Sequence, residues 1–369
     1  MEELIHIRDV WKVFGTKSGL HTSTASPEQL ERLLQDPSCR CAIRDVTLTV
    51  RKGEIFVVMG LSGSGKSTLL RMINGLITPT SGTVEIQGRS VNQMNRQELL
   101  AMRRRSMAMV FQSFALFPHR SALDNAAFGL EVSGVPQKQR LERARQALER
   151  VGLGKDLQRR PDQLSGGMRQ RVGLARALAL DPPILLMDEA FSALDPLIRH
   201  DMQDLLLDLQ REQRRTIVFI SHDLDEAVRI GDRIALMQDG RLLQCGTAED
   251  LLCRPDEDAV QEFFSSVDPA AVLRVGAIAE APDGDVILDL RDPNAPLLRA
   301  DTLMKDAIPV VAASSGPVPV VVRAGTGGGP GRSRWWSGPV QVVVRAGPAG
   351  GPGRSRWWSG PVLAVVRAG

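Results

Sequence analysis

Residues 54–68 read Glu54-Ile-Phe-Val-Val-Met59-Gly60-Leu61-Ser62-Gly63-Ser64-Gly65-Lys66-Ser67-Thr68. The apolar run ending at Met59 is short, β-branched and aromatic, which predicts a strand buried on both faces. The Gly60-x4-Gly65-Lys66-Ser67 spacing then predicts a loop whose backbone N–H groups turn inward around phosphate oxygens. A helix is expected from about Lys66, and its N-terminus adds partial positive charge at the same place. In this reading the loop from Gly60 to Thr68 holds a nucleoside triphosphate such as ATP. Lys66 reaches the β- and γ-phosphates, and the Ser67 hydroxyl ligates Mg2+.

A second apolar run, Ile184-Leu-Leu-Met187, ends in Asp188 and Glu189. Two carboxylates at the end of a buried strand are costly unless they bind something. Asp188 suits a Mg2+ ligand, and Glu189 suits a general base or polariser for an attacking water. Further strands are expected over Met1–Phe14, Val46–Val50 and Thr216–Ser221, with an amphipathic helix over Leu141–Val151. Strands alternating with helices indicate an α/β layer architecture. Residues 15–42 are polar, with a helix-like stretch around Glu28–Leu34, and read as an insertion between two strands.

Leu164-Ser165-Gly166-Gly167-Met168-Arg169-Gln170 lies about twenty residues before the acidic pair and resembles the signature of the ABC ATPases. The resemblance implies a P-loop NTPase cassette: a RecA-like core, an antiparallel β subdomain, and a helical subdomain over about 100–165. It also implies a head-to-tail homodimer with two ATP molecules between subunits. Ser165, Gly166 and Gly167 would then face the γ-phosphate held by the other subunit. Three more positions match the family. Gln112 resembles the glutamine that senses Mg2+ or the attacking water, His222 resembles the switch histidine at the γ-phosphate, and Asp195 closes the loop that crosses the dimer. The chain has no tyrosine, so the aromatic that stacks on adenine in relatives falls to Phe14, with Trp11 as the alternative and a core role for Phe14 also open. His21, His119 and His200 match no catalytic position of the family.

Longer stretches are similar to the glycine betaine/proline (quaternary amine) importer ATPases: Ala108–His119, Leu164–Ala179, Met187–Arg199 and Ile220–Ala227. The similarity is close over residues 1–265 and loose over 266–322. It implies integral-membrane permease subunits as partners, a substrate-binding protein reached through them, and a peripheral place on the cytoplasmic face of the membrane. Phe114, Leu116 and Phe117 read either as an apolar socket for the permease or as core. Choline, carnitine or another amine is the alternative cargo. A soluble ABC ATPase acting on nucleic acid or the ribosome is the remote alternative. In the same relatives a pair of CBS domains senses ionic strength, and Asp301–Val322 resembles half of one such α+β module.

The whole chain carries a formal charge of +3, but residues 316–369 hold seven arginines and no acid or lysine. The remainder is therefore at −4, and charge supplies no reason to expect nucleic-acid binding. Cys39, Cys41, Cys245 and Cys253 lack metal or disulfide-framework spacing and read as reduced thiols. No apolar run reaches the ~18 residues needed to span a bilayer. The stretch 316–369 is a repeat with a 22-residue period, marked by Gly316-Pro317-Val318, Gly338-Pro339-Val340 and Gly360-Pro361-Val362. Its Gly and Pro content argues against a packed core. The Arg-Trp-Trp triplets, read one codon frame over, encode valines, so a tandem duplication with a frame slip in GC-rich DNA accounts for the stretch better than a repeat fold does.

Overall fold

A computed structural model describes residues 2–15, 30, 35–113 and 115–273, with short segments between 298 and 368. Contacts divide the chain into Met1–Phe264 and Ser265–Gly369. The first unit opens with strands β1 (Glu3–Phe14), β2 (Arg40–Arg51) and β3 (Ile55–Met59), then helix α1 (Lys66–Ile73). Strands β4 (Ser81–Ile86) and β5 (Arg89–Ser90) precede α2 (Arg96–Ser106) and β6 (Met107–Phe111). Three helices follow: α3 (Ala122–Val132), α4 (Gln137–Arg150) and α5 (Gly166–Ala179). The unit ends with β7 (Ile184–Asp188), α6 (Pro196–Gln213), β8 (Thr216–Ser221), α7 (Leu224–Ile230), β9 (Arg233–Gln238), β10 (Arg241–Gly246), α8 (Ala248–Cys253) and α9 (Asp258–Phe264).

Two sheets form. The antiparallel one runs β2-β1-β4-β5, and the larger runs β10-β9-β3-β8-β7-β6 with every pair parallel except β10–β9. All residues of β3, β7 and β8 are buried, as unbroken apolar runs require when both faces of a parallel sheet are covered. Each fully buried Val, Ile, Leu or Phe contributes roughly 1.5–3 kcal/mol. Phe191 and Phe219 are fully buried against each other, ring centroids 5.4 Å apart. In β1 the alternation of buried and exposed residues slips between Ile7 and Lys12, where the register with β2 shifts. Asp9 absorbs the irregularity at φ 49°, and its backbone N–H and carboxylate both bond Thr47 Oγ1.

The expected helix over Leu141–Val151 starts earlier, at Gln137, and ends at Arg150, burying Ala144, Ala147 and Leu148. The expected strand Val46–Val50 extends back to Arg40, so the end of the 15–42 insertion is strand rather than loop. Pairing of Arg40, Cys41 and Ile43 with Phe14, Val13 and Lys12 of β1 holds Arg40–Ile43 extended. The helix-like stretch Glu28–Leu34 lies outside the described residues except for Leu30, which is buried.

In the second unit, four strands pair: β11 (Leu298–Arg299), β12 (Val318–Val322), β13 (Val340–Arg345) and β14 (Leu363–Ala368). β11–β12 is parallel and the other two pairs are antiparallel. Composition argued against packed structure over 316–369, yet each 22-residue repeat carries one strand. Clustered valines favour the extended backbone. Of the helix and strands expected over Asp301–Val322, helical turn 305–307 and β12 are described. The rest lies outside the described residues.

Candidate nucleotide site

The register of the parallel sheet decides which side chains meet. Met59 pairs with Ser221, Ile220 with Asp188, and Asp188 with Phe111. The residues that follow these strand ends are Gly60, His222, Glu189 and Gln112, so four separated segments arrive at one edge. Ligands of open α/β sheets bind at that carboxyl edge.

The glycine loop runs from Gly60 into α1. Gly65 caps the helix in the left-handed region at φ 98°, and a Cβ there would stand 2.3 Å from the Ala42 carbonyl oxygen. No other residue type fits without moving β2. Lys66 is buried and donates from Nζ to the carbonyl oxygens of Gly60 (2.8 Å) and Leu61 (2.9 Å). Burial lowers the pKa of its ammonium group, while the Glu189 and Asp188 carboxylates pull it back up. The Ser67 hydroxyl donates to Asp188 Oδ1 at 2.8 Å.

Glu189 occupies the left-handed region at φ 46°, a conformation that costs a non-glycine residue energy and recurs at functional sites. Its N–H donates to the Ile220 carbonyl at 3.2 Å, and Ser192 Oγ donates to its carbonyl at 2.9 Å, so the strained turn is tied from two sides. Its Oε2 accepts from Gln112 Nε2 at 3.2 Å and lies 3.3 Å from His222 Nδ1. Gln112 Nε2 also reaches Ser192 Oγ at 3.2 Å.

A cavity of about 510 Å3 covers the glycine loop, lined by Phe14, Arg40, Ser62, Gly63, Gly65, Lys66, Ser67, Thr68, Arg71 and Glu189 among others. Phe14 is 41% exposed and opens on this cavity, whereas Trp11 is buried against Leu30 and Cys41. Arg40 and Ala42 line the cavity because Phe14 pairs with Arg40 across β1 and β2. Nothing local in the sequence marks Arg40, Ala42 or Arg71 as cavity residues, and strand register brings in the first two while α1 carries the third. Ser192 opens the Ser192–Asp195 stretch that resembles the family's dimer-crossing loop, and its place beside Glu189 follows from the turn they share.

Ser165 caps α5, its Oγ accepting from Met168 N–H at 3.3 Å. Gly167 is buried so tightly that a Cβ would stand 2.6 Å from Ile198. Asp195, at the start of α6, is exposed and makes no capping bond. Ser165, Gly166, Gly167 and Asp195 do not line the cavity over the glycine loop.

Glu226 adds a pH-sensitive element behind the site. It is buried on α7, with Oε2 accepting from Ser221 Oγ (2.5 Å) and Oε1 from Gln203 Nε2 (3.1 Å). Burial raises its carboxyl pKa, and the bonds from Ser221 and Gln203 only partly offset this. A raised folded-state pKa contributes stability that is complete below the unfolded carboxyl value of about 4.3 and is lost as pH rises through the folded value. Glu226→Gln carries no charge, its amide oxygen still accepts from Gln203 Nε2, and its NH2 donates to the Ser221 hydroxyl in place of accepting from it. Its melting temperature should exceed the parent's at pH 8, and the gap should close on acidification to about pH 4. A gap that widens on acidification would contradict this.

An ABC transporter family model matches residues 43–192. The ATP-binding protein ProV of the glycine betaine/proline betaine transport system of Escherichia coli K12 is 52% identical over 286 residues, spanning 76% of this chain and 70% of that one. The chain belongs to the ABC transporter ATP-binding subunits. The glycine betaine transport ATP-binding protein OpuAA of Bacillus subtilis 168 is 51% identical over 276 residues, spanning 74% of this chain and 66% of that one. Among solved structures, the dimeric bacterial ABC transporter cassette MJ0796 superposes with a TM-score of 0.57 at 33% identity, covering 66% of this chain and 98% of that one. The same cassette in a post-hydrolysis state bound to ADP and Pi gives a TM-score of 0.56 at 32% identity. The first unit is thus an ABC cassette of the P-loop NTPase fold, an ATPase. No helix among the described residues is long and apolar enough to cross a membrane.

Proposed function

We propose that this subunit hydrolyses ATP to energise import of glycine betaine or a related quaternary amine across the cytoplasmic membrane. The observation that carries the catalytic part is the meeting of Gln112 and His222 at the Glu189 carboxylate, beside the Ser67–Asp188 pair. Lys66 exchanges its two carbonyl partners for β- and γ-phosphate oxygens, which also compensates its buried charge. The adenine stacks on Phe14, worth roughly 1–3 kcal/mol by analogy with bases on aromatic side chains. Glu189 accepts the proton of the attacking water, while His222 and Gln112 hold its carboxylate in place and touch the γ-phosphate side.

The hydroxyl and carboxylate of Ser67 and Asp188 are adjacent hard oxygen donors, which suits Mg2+ sharing its shell with substrate phosphates. Ser67 and Asp188, with Gln112, would hold the ion, and its chemistry is to neutralise charge on the β- and γ-oxygens.

Ser165, Gly166, Gly167 and Asp195 act on the nucleotide of a second copy. The N-terminus of the 14-residue α5 is an anion site in search of a phosphate. Leu61 and Leu197 are 68% and 75% exposed, next to the glycine loop and to Asp195, as expected of a face that a partner cassette covers. ATP closes the dimer because each nucleotide contacts both subunits.

The permease docks in the apolar groove of about 440 Å3 lined by Leu76, Met107, Phe111, Phe117, Phe128 and Leu180. The fully buried Asn125 shapes its rim, accepting from Phe117 N–H at 2.7 Å and donating to the carbonyls of Phe117, Arg120 and Ser121. Phe114 lies outside the described residues. An amphipathic helix from the membrane partner fits such a groove, and a substrate-binding protein acts through that partner. The cassette sits peripherally on the cytoplasmic face.

The cargo rests on the relatives. ProV and OpuAA are named for glycine betaine, while a 48% identical Listeria monocytogenes protein is named for glycine betaine and carnitine. Uptake of radiolabelled glycine betaine tests this in cells whose own copy of the gene is replaced by the intact or the Lys66→Ala form. Concentrative uptake should appear with the intact chain and fall to background with the variant. Uptake of carnitine or choline but not glycine betaine would move the cargo to that amine, and uptake indifferent to Lys66 would overturn the energising role.

A further inference from the structure

Arg199 stands in the first turn of α6, just after the 192–195 loop. Its Nη1 donates to Asp223 Oδ2 at 2.7 Å, and its Nη2 to the Leu194 carbonyl oxygen at 3.3 Å. Asp223 directly follows His222 and caps α7, with Oδ1 accepting from Glu226 N–H at 3.1 Å. A second tie runs parallel one turn further along α6. Gln203 donates to Glu226, Ser221 donates to Glu226, and Ser221 Oγ accepts from Asp223 N–H at 3.0 Å. Both neighbours of His222 are therefore held from α6, while the His222 side chain itself is 54% exposed and faces Glu189.

We propose that Arg199 is a positioning residue that fastens the 192–195 loop to the His222 loop, so that displacement of one is carried to the other. The proposal rests on the reading of His222 as a γ-phosphate contact and of Asp195 as a contact across the dimer. The bonded path is short: Leu194 carbonyl, Arg199 guanidinium, Asp223 carboxylate, His222 backbone. Charge assistance strengthens the Arg199–Asp223 bond, and partial burial on both sides limits its screening. The two loops leave different strands, β7 and β8, and Arg199 bridges the gap between them. Nucleotide bound against one cassette's Asp195 then registers at that same cassette's His222, which links the two hydrolysis sites of the dimer.

The test is a double-mutant cycle on the full-length protein, since coupling through a residue shows as non-additivity. Turnover of radiolabelled ATP at saturating ATP and Mg2+ is measured for the parent, Arg199→Ala, His222→Ala and the double variant. Arg199→Ala should lower kcat by about 10- to 100-fold, as a displaced catalytic group does, with KM for ATP changed less than about 3-fold. The double variant should be no slower than His222→Ala alone. Arg199→Lys, which reaches Asp223 but lacks the second arm to Leu194, should recover part of kcat. Losses that multiply in the double variant, or a kcat for Arg199→Ala within about twofold of the parent, would overturn the proposal. Full turnover in His222→Ala would instead overturn the assignment of His222, and this proposal with it. Should Arg199→Ala fail to fold, Arg199→Lys and Asp223→Asn replace it in the same cycle, because asparagine keeps the cap and removes the charge pair.

Discussion

Glu189→Gln should bind ATP as tightly as the parent, hydrolyse it about 10²- to 10⁴-fold more slowly, and accumulate as a closed dimer. The substitution preserves shape, and the glutamine oxygen still accepts from Gln112 Nε2, which stands 3.2 Å from Oε2. The φ of 46° is a backbone property fixed by the bonds to Ile220 and Ser192, so the turn survives. What is lost is the basic oxygen that takes the proton of the attacking water. Lys66, the glycine loop and the N-terminus of α5 are untouched, so both halves of a sandwiched nucleotide keep their contacts. Light scattering in saturating ATP and Mg2+, alongside single-turnover hydrolysis, reads both effects. A monomer under those conditions, or turnover within about tenfold of the parent, would remove Glu189 from the role of base.

Lys66→Ala is expected to act earlier, at binding. The Nζ makes two hydrogen bonds to loop carbonyls, and each would be replaced by one to a phosphate oxygen on binding. Hydrogen bonds to charged groups are worth about 1.5–3 kcal/mol each, so two amount to about 3–6 kcal/mol, or about 10²- to 10⁴-fold in affinity. The folded state should survive, since the lost contacts are polar and Leu69, Leu70 and Met72 still pin α1 to the core. Titration with a fluorescent ATP analogue and a thermal melt separate the two readings. Unchanged affinity together with unchanged turnover would exclude Lys66 from the phosphate site. Unchanged affinity with lost turnover would make it purely a transition-state group.

The two variants differ in what they leave behind. Lys66→Ala empties the nucleotide site and should yield open subunits, whereas Glu189→Gln fills the site and should yield closed ones. If both give the same oligomer, closure does not depend on nucleotide and the coupling scheme above fails. Arg199 belongs between these extremes, with binding kept, closure kept and turnover reduced.

The residue sequence by itself determined a great deal here. Gly60 to Thr68, the Asp188-Glu189 pair and Ser165 to Gly167 are contiguous stretches, each with its own local chemistry. A glycine loop before a helix, or two acids closing a four-residue apolar run, can be read without a fold. The same holds for β3 and for the apolar centres of β7 and β8, whose composition leaves burial on both faces as the one stable solution. The strands in 316–369 show the opposite balance, because average Gly-Pro content hid local valine runs that pair.

What only the tertiary structure decided concerns residues that local sequence leaves unrelated. Gln112 and His222 are 77 and 33 positions from Glu189, and they meet it because parallel register carries Phe111, Asp188 and Ile220 into line. Arg40 enters the nucleotide cavity because it pairs with Phe14 across 26 residues of chain. Arg199 reads in sequence as an ordinary helix arginine; Leu194 is a local partner, but Asp223 appears only when α6 lies beside the end of β8. Local motifs are legible because their chemistry is carried by neighbours in the chain. Register, rotation about a helix axis and cross-strand pairing depend on how the whole core closes, and that is set by packing rather than by any one segment.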